Sequence, residues 1–220
     1  MVSLAGFPFS PRNPYAACPP RSKDAVALSE QLTLFDVSSP VPAGLRYQEE
    51  FISREVEQEL IAQVAALPLT PFQFGAFEGK RRVKSFGFHY DYDLRRLEGA
   101  EPIPSWLAGL IARVEAFGGQ PTRIAQVLCT EYATGVGIGW HRDKRHFGSV
   151  LGLSLGSSCS FRFRRAVGDK WERFVLRTAP RSIYGMSGPS RHEWEHSISP
   201  VEVPRYSITF RTMAERDGRA

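Results

Sequence analysis

The chain has 220 residues, a length that predicts one domain, and its 42% hydrophobic content is ample for a packed core. With 28 Lys and Arg against 23 Asp and Glu, the net charge is +5, which suits a polyanionic partner and equally an ordinary basic surface. No stretch reaches the ~18 apolar residues of a membrane span, and the N-terminus lacks the basic region of a secretory signal. Three cysteines without a C-x-x-C pair favour a reduced setting. We therefore expect a cytoplasmic monomer that does not contact membranes.

The first segment differs in composition from the rest of the chain. Residues 1–44 are rich in Pro, Ser and small residues, which predicts a poorly ordered arm. Within the arm, the apolar run QLTLF at residues 31–35 is a candidate strand that docks on the domain. The globular pattern covers residues 45–216, and residues 217–220 are expected to form a tail.

Two helices are predicted in the first half of the globular region. One begins after Ser53, a favourable N-cap, and ends at Pro68. Its apolar face is formed by Val56, Leu60, Ile61, Val64 and Leu67. The other follows Pro104 and ends at Gly118 and Gly119, because glycine commonly terminates a helix. Its apolar face is formed by Leu107, Leu110, Ile111, Val114 and Phe117.

From Ile124 onward the apolar period shortens to two, which is typical of strands. Gly, Ser, Pro and Asp separate the candidate strands, which are IAQVLCTEY, SVLGLSLG, CSFRFRR, ERFVLRTA, RSIYGMSG and RYSITFRT. Two helices followed by at least six strands predict an α+β protein in which helices pack against an antiparallel double sheet.

The stretch RHEWEHSIS contains the H-E-x-x-H pattern of zinc metalloproteases, from His192 to His196. That chemistry needs one helix that carries both histidines on the same face. Gly188 and Pro189 are expected to break any helix before His192, and Pro200 and Pro204 to stop one soon after His196. In an extended segment the two histidines would lie ~13 Å apart, too far to share an ion. We therefore reject the protease interpretation and expect His192 to be a surface or loop residue.

A second histidine cluster, GIGWHRDKRHFG, carries His141 and Asp143. On an extended strand these side chains share one face and can bind the same metal, although a surface salt-bridged pair is the alternative. A non-haem Fe(II) site uses two histidines and one carboxylate, and His196 can complete that set from a distant strand.

The last candidate strand, RYSITFRT, places Arg205, Ser207, Thr209 and Arg211 on one face by alternation. Two guanidinium groups on one face suit a small dicarboxylate, because each can bind a carboxylate through paired N–H donors. The alternative is a solvated arginine face.

The segment GKRRVKSFGFHYDYD, residues 79–93, interleaves basic and aromatic residues. Such a segment can hold phosphates and stack a base, as a pocket for a flipped nucleotide requires. The alternative is a hairpin with a core of aromatic side chains and solvated basic residues outside. Further positive charge flanks the H-x-D motif and a nearby strand, at Arg142, Lys144, Arg145, Arg162, Arg164 and Arg165.

Taken in order, EYATGVGIGWHRD, SGPSRHEWEHSI and RYSITFRT resemble the AlkB-like branch of the Fe(II)/2-oxoglutarate-dependent dioxygenases, over residues 45–216. The resemblance implies a double-stranded β-helix (jelly-roll) core with two buttressing N-terminal helices. It also implies that residues 79–93 correspond to a nucleotide-recognition lid.

The resemblance also assigns site residues by position. It implies Fe(II) ligands at His141, Asp143 and His196, and 2-oxoglutarate contacts from Tyr132, Thr130, Arg205, Ser207 and Arg211. Of the two arginines, Arg205 is the expected anchor for the distal carboxylate, and Arg211 lies near the metal-bound end. Substrate contacts are expected from Arg82, Phe86, Phe88, Tyr90, Lys144 and Arg145, with Arg191 also bracing the site. Two positions depart from the family, because Thr130 replaces a common asparagine and Arg145 replaces an acidic base-reading residue, so base preference does not transfer.

The resemblance implies an oxidative demethylase of alkylated bases in DNA or RNA, which uses Fe(II), 2-oxoglutarate and O2 and releases succinate, CO2 and formaldehyde. Two alternatives stay open. One is an oxygenase of the same chemistry that acts on a protein or a small molecule. The other is a catalytically silent binding module that keeps the fold.

Overall fold

The structure is a computed structural model that describes residues 41–91, 94–119 and 122–214. Most of the expected arm, including the candidate strand at residues 31–35, and the expected tail at residues 217–220 lie outside the described residues. Within the described ranges, no helix has the length and apolar character needed to cross a membrane.

The described residues form two facing antiparallel sheets and a separate hairpin. The strands are β1 (Leu45–Gln48), β2 (Thr70–Phe74), β3 (Phe77–Phe86), β4 (Phe88–Asp91), β5 (Arg96–Gly99), β6 (Ile124–Tyr132), β7 (Ile138–His141), β8 (Phe147–Leu155), β9 (Cys159–Val167), β10 (Lys170–Thr178), β11 (Ile183–Met186), β12 (Glu195–Ile198) and β13 (Arg205–Met213). The larger sheet has the order β1-β11-β8-β13-β6-β3-β2, the smaller has β10-β9-β12-β7, and β4 pairs with β5. This arrangement is the expected double-stranded β-helix.

Two longer α-helices and one short α-helix accompany the sheets in the described residues: α1 (Arg54–Ala65), α2 (Ala108–Gly118) and α3 (Gly188–His192). A 3-10 turn at Ser105–Leu107 leads directly into α2. The side chain of Ser53 caps α1 by accepting from the backbone N–H of Val56 at 3.4 Å. Helix α1 ends at Ala65, before the expected stop at Pro68. Helix α2 is followed by Gly119, whose φ of 79° is accessible to glycine at little cost.

Two clusters of apolar side chains make the core. One packs residues of α1 and α2, such as Leu60 and Val114, against the larger sheet. The other lies between the two sheets and includes Phe161, Phe163 and Tyr184. The helices therefore cover the outer face of the larger sheet, and its inner face is left to line a site.

The expectation that Gly188 and Pro189 exclude a helix before His192 is wrong, because α3 covers Gly188–His192. Proline is tolerated in the first turn of a helix, where its missing N–H would have no partner within the helix. His192 ends α3, and His196 lies on β12. The two histidines of the H-E-x-x-H pattern thus lie on different elements, which is incompatible with the metalloprotease arrangement.

Candidate active site

Three side chains converge between β7 and β12 to form a compact donor set. His196 lies opposite His141 in the antiparallel register, and their ring centroids are 4.3 Å apart. Nε2 of His196 lies 3.5 Å from Oδ2 of Asp143, just beyond the end of β7. One ligand atom from each residue falls within 4.8 Å of the other two. Two imidazoles and one carboxylate are the facial set that holds non-haem Fe(II).

The protonation states of this donor set suit a metal. Nδ1 of His141 donates to the carbonyl oxygen of Gly139 at 2.9 Å, which leaves Nε2 available to a metal. Burial lowers the pKa of His141, and burial lowers the pKa of His196 to about 3. Burial opposes ionisation of Asp143, but the nearby cation of Arg211 is the largest influence that outweighs it and holds the pKa of Asp143 below the usual range. At neutral pH the site therefore presents a carboxylate and two neutral imidazoles, the forms that bind metal.

Arg211 positions the carboxylate of this set. Its Nε and Nη2 donate to Oδ1 of Asp143 at 3.0 and 2.7 Å, and its Nη1 donates to Oε1 of Gln126 at 2.9 Å. Gln126 in turn donates from Nε2 to the carbonyl oxygen of Phe88 at 2.8 Å. The expected co-substrate residue Arg211 is thus also a brace that links the metal carboxylate to the β4–β5 hairpin.

Arg205 lies at the other end of the same inner cavity. Residues of β13 line that cavity at alternating positions, and Thr130 and Tyr132 of β6 line it beside them. In the register, Arg205 pairs with Tyr132, and Ser207 pairs with Thr130. The cavity also contains His141, Asp143 and His196, so the five residues expected to contact 2-oxoglutarate surround the same space as the metal ligands.

The environment of Arg205 tests whether this cavity fits 2-oxoglutarate. Arg205 is 1% exposed, and its Nη2 donates to Oγ of Ser154 at 3.1 Å. Its Nε and Nη1 are buried without a hydrogen-bond partner in the described part of the chain. Burying a guanidinium with two N–H donors that lack acceptors costs folding free energy unless an anion binds to those donors. A dicarboxylate that reaches from the metal ligands to Arg205 would do so, and the site therefore fits both Fe(II) and 2-oxoglutarate.

Tyr184 is a cavity residue that the sequence analysis did not identify. It lies on β11, lines the inner cavity, and burial raises the pKa of its hydroxyl, so it stays neutral. Its ring occupies the space in front of Gly152, where an added Cβ would lie 2.2 Å from a ring atom. A glycine at position 152 is therefore required for the tyrosine to reach the cavity.

A larger cavity of about 680 Å³ opens beside the metal ligands. His141 and Asp143 line it, together with Arg211, so it shares a wall with the inner cavity. Aromatic and basic side chains form much of the remaining wall, namely Phe72, Phe74, His89, Tyr90, Trp140, Arg81 and Lys144. Cavities of this size bind small organic groups.

The expected substrate residues divide between this cavity and other parts of the fold. Tyr90 and Lys144 line the cavity, and Nζ of Lys144 lies 4.4 Å from the Tyr90 ring centroid. The other five expected substrate residues are not among the residues that line the cavity, and these are Arg82, Phe86, Phe88, Arg145 and Arg191.

Strand alternation explains the placement of Arg82 and Phe86. On β3, Arg81 faces the cavity and its guanidinium carbon lies 3.9 Å from the Phe72 ring centroid. Arg82 turns to the opposite face, where it donates to Oε1 of Glu131 at 3.1 Å. Phe86 shares that opposite face and is 3% exposed in the core.

Arg191 has a structural role rather than a contact with the large cavity. It is 2% exposed, and its guanidinium donates to the carbonyl oxygens of Lys144, Phe147 and Gly148 at 2.7, 2.9 and 2.9 Å. These bonds hold the loop that follows Asp143, which agrees with the bracing role that the resemblance implied. Arg145 lies in the same loop and is exposed.

Comparisons with known proteins identify the family. The model of the 2OG-Fe(II) oxygenase superfamily matches residues 44–211. The chain is 30% identical over 167 residues to the Mus musculus protein "tRNA (carboxymethyluridine(34)-5-O)-methyltransferase ALKBH8", a match that covers 73% of this chain and 25% of that protein. It is 26% identical over 199 residues to the Arabidopsis thaliana "Alkylated DNA repair protein ALKBH8 homolog", with coverage of 79% and 56%. The chain thus spans only part of the length of these relatives.

Solved structures agree on the fold. OsALKBH1 superposes with a TM-score of 0.60 at 16% identity, over 79% of this chain and 98% of that one. A Pseudomonas putida prolyl-4-hydroxylase superposes with a TM-score of 0.56 at 15% identity, over 78% and 93%. With the family model matched across the jelly roll and a His/Asp/His group that could hold a metal, the chain belongs to the 2OG-Fe(II) oxygenase superfamily as an AlkB-like dioxygenase that uses Fe(II), 2-oxoglutarate and O2.

Proposed function

We propose that the protein oxidatively demethylates alkylated bases in DNA or RNA. The observation that carries the proposal is the cavity of about 680 Å³, which has the metal ligands at one end and aromatic and basic side chains around it. Enzymes that act on a base take it out of the stack and hold it between aromatic or apolar side chains. The composition of this wall supports such a substrate.

The side chains around the cavity have separable tasks. The rings of Phe74, Tyr90 and Trp140 provide faces on which a flat base can stack. Arg81 and Lys144 are positioned to attract the phosphates next to that base. When bound, Fe(II) and 2-oxoglutarate supply oxygen-dependent hydroxylation of a C–H bond, and an N-methyl group hydroxylated in this way is lost as formaldehyde.

The protein also controls what surrounds the reacting group. Arg205 is placed to hold the distal carboxylate of the co-substrate, and Arg211 keeps Asp143 in its ligand orientation. The buried walls of the inner cavity exclude water from the metal side of the substrate. The methyl carbon is thereby directed at the metal, while the base itself is held in the outer cavity.

The relatives give independent support for a nucleic-acid substrate. The Arabidopsis relative is named for the repair of alkylated DNA, and the mouse relative is named for a modified tRNA nucleoside. Since the chain covers only 56% and 25% of those proteins, neither activity is transferred as such. Their shared class of substrate agrees with the basic and aromatic cavity wall.

The test incubates the protein with Fe(II), 2-oxoglutarate, O2 and single-stranded DNA and RNA oligonucleotides that each carry one N-methyl base. Succinate and the repaired base are measured together. We expect both products with at least one oligonucleotide, and loss of both in the His196→Ala variant but not in His192→Ala.

Two outcomes would contradict the proposal in different ways. Succinate without any repaired base would show an oxygenase whose substrate is a protein or a small molecule. No oxygen-dependent turnover of 2-oxoglutarate, with iron bound, would show a binding module that keeps the fold.

A further inference from the structure

The outer face of the smaller sheet has an unusual composition for a solvent-exposed surface. On β9, Phe161 and Phe163 point into the core, so alternation directs Arg162 and Arg164 outward. On β10, Phe174 and Leu176 pack against the same core. Trp171, Arg173, Val175 and Arg177 lie at the exposed alternate positions of that strand. Two adjacent strands therefore present arginine and tryptophan to solvent.

Trp140 connects this face to the large cavity. It lies on β7 next to His141, whose side chain faces the metal site, and it lines the large cavity. The guanidinium carbon of Arg164 lies 4.4 Å from the Trp140 ring centroid and also 4.4 Å from the Trp171 ring centroid. Arg162 lies 5.1 Å from the same Trp140 ring. Indole and guanidinium groups thus alternate from the cavity mouth across the sheet.

We call this surface the arginine–tryptophan face, defined by Trp140, Arg162, Arg164, Trp171, Arg173 and Arg177. Among the described residues, the one ion pair made by its four arginines joins Nε of Arg164 to Oε2 of Glu195 at 2.7 Å. Trp171 keeps 43% of its surface exposed. A large exposed indole within a cationic patch indicates a partner that is both anionic and able to stack.

Single-stranded nucleic acid has both properties. Its phosphates carry negative charge, and its bases have faces that stack on aromatic rings regardless of sequence. A simple acidic partner would explain the arginines but would leave the spaced tryptophans without a function. We propose that the arginine–tryptophan face binds the single strand that flanks the target base and guides it from β10 over Trp140 to the cavity. This inference rests on the proposed nucleic-acid function and adds a route for the strand outside the cavity.

The test compares the wild type with the double variant Trp171→Ala/Arg173→Gln, which lies outside the cavity and does not touch the metal ligands. Binding to a fluorescent 15-nucleotide single strand is measured by anisotropy across a range of salt concentrations. We expect about tenfold weaker binding and a shallower salt dependence, since each lost phosphate contact lowers the slope by about 0.7. Arg54→Gln, which removes one exposed charge from α1, is the matched control and should bind as the wild type does.

Substrate length then separates this inference from the proposed function. The rate of demethylation of a methylated trinucleotide, which is too short to reach β10, should be the same in the wild type and the double variant. The rate for the 15-mer at subsaturating concentration should be about tenfold lower in the double variant.

If both lengths are repaired and the double variant acts on the 15-mer like the wild type, the face does not guide the strand although the function stands. If the wild type repairs neither length, the proposed function and this inference fall together. Arg173→Gln alone, which keeps the tryptophan, repeats the binding test should the double variant fold poorly.

Discussion

His196 of β12 lies directly opposite His141 of β7, so two candidate iron ligands that are far apart in the chain meet through one pair of neighbouring strands. Asp143 follows β7 after one further residue, and Arg211 of the larger sheet fixes its carboxylate. The ligand set therefore forms only when the two sheets are packed together.

This register predicts different outcomes for the two histidines of the H-E-x-x-H pattern. His196→Ala should weaken metal binding by more than about 100-fold. Mutation of a residue that only hydrogen-bonds to a metal ligand already lowers metal affinity about 10- to 100-fold, and loss of a ligand should cost more. His192→Ala should leave affinity unchanged, since His192 is exposed at the end of α3. Titration with Co²⁺, followed by absorbance, measures both, and equal losses would contradict the assigned ligands.

The unused donors of Arg205 predict an uncommon pair of effects. Arg205→Met should abolish the increase in unfolding free energy that 2-oxoglutarate gives the wild type, because the anchor for its distal carboxylate is gone. The same change should make the protein without ligand more stable by about 1 kcal/mol or more, since it removes a buried, incompletely paired charge. Denaturant unfolding with and without 2-oxoglutarate provides both readings. A destabilised variant that still responds to 2-oxoglutarate would refute this role.

The alternation of β3 predicts that adjacent arginines are not equivalent. Arg81→Gln should lower kcat/KM for a methylated oligonucleotide about tenfold, as expected for one charge-assisted contact. Arg82→Gln should leave kcat/KM within about twofold and cost about 1 kcal/mol of stability, because its pair with Glu131 is partly exposed and its other bond is a single donation to the carbonyl oxygen of Leu69 at 3.0 Å. If Arg82→Gln lowered kcat/KM and Arg81→Gln did not, the assignment of the Arg81 face of β3 to the cavity would be wrong.

The lowered pKa of His196 predicts how stability depends on pH when a chelator keeps the site free of metal. Between pH about 6.5 and about 3 the unfolded chain carries a proton on this residue that the folded chain does not. Stability is therefore fully present above pH about 6.5 and is lost as the pH falls, with a slope of up to about 1.4 kcal/mol per pH unit from this group. Urea unfolding at several pH values should show a smaller slope for His196→Leu, and parallel curves would rule out the effect.

The sequence predicted the bounds and faces of strands best where the residue pattern fits only one arrangement. Strand β6 spans Ile124–Tyr132 as expected, because its period-two pattern is bounded by turn residues at both ends. The cavity face of β13 followed from alternation alone, since Tyr206, Ile208 and Phe210 belong to the core on its other side. The H-x-D pair and the distant His196, which the sequence pattern grouped, come together in the fold as a set that could hold a metal.

The substrate side of the site was harder to predict for a physical reason. In KRRVKS both faces of the strand carry basic residues, so composition does not reveal which alternate set faces the cavity. Trp140 and Tyr184 depend on how strands from separate parts of the chain pack, and no local pattern marks them. The short helix α3 was missed because proline was taken as a helix breaker, whereas it begins this helix.

The two faces of β3 also determine where this enzyme can be redesigned. Inserting one residue near Lys84 would exchange the faces of the strand beyond that point, so that Ser85 takes the core position of Phe86 and Phe86 turns toward the cavity. The β2–β3 turn has no such restriction, because Phe74 and Phe77 flank it with 55% and 76% of their surfaces exposed. Phe74 also lines the large cavity. Length changes intended to broaden the range of substrates therefore belong in that turn, where evolution too can vary the cavity mouth without cost to the core.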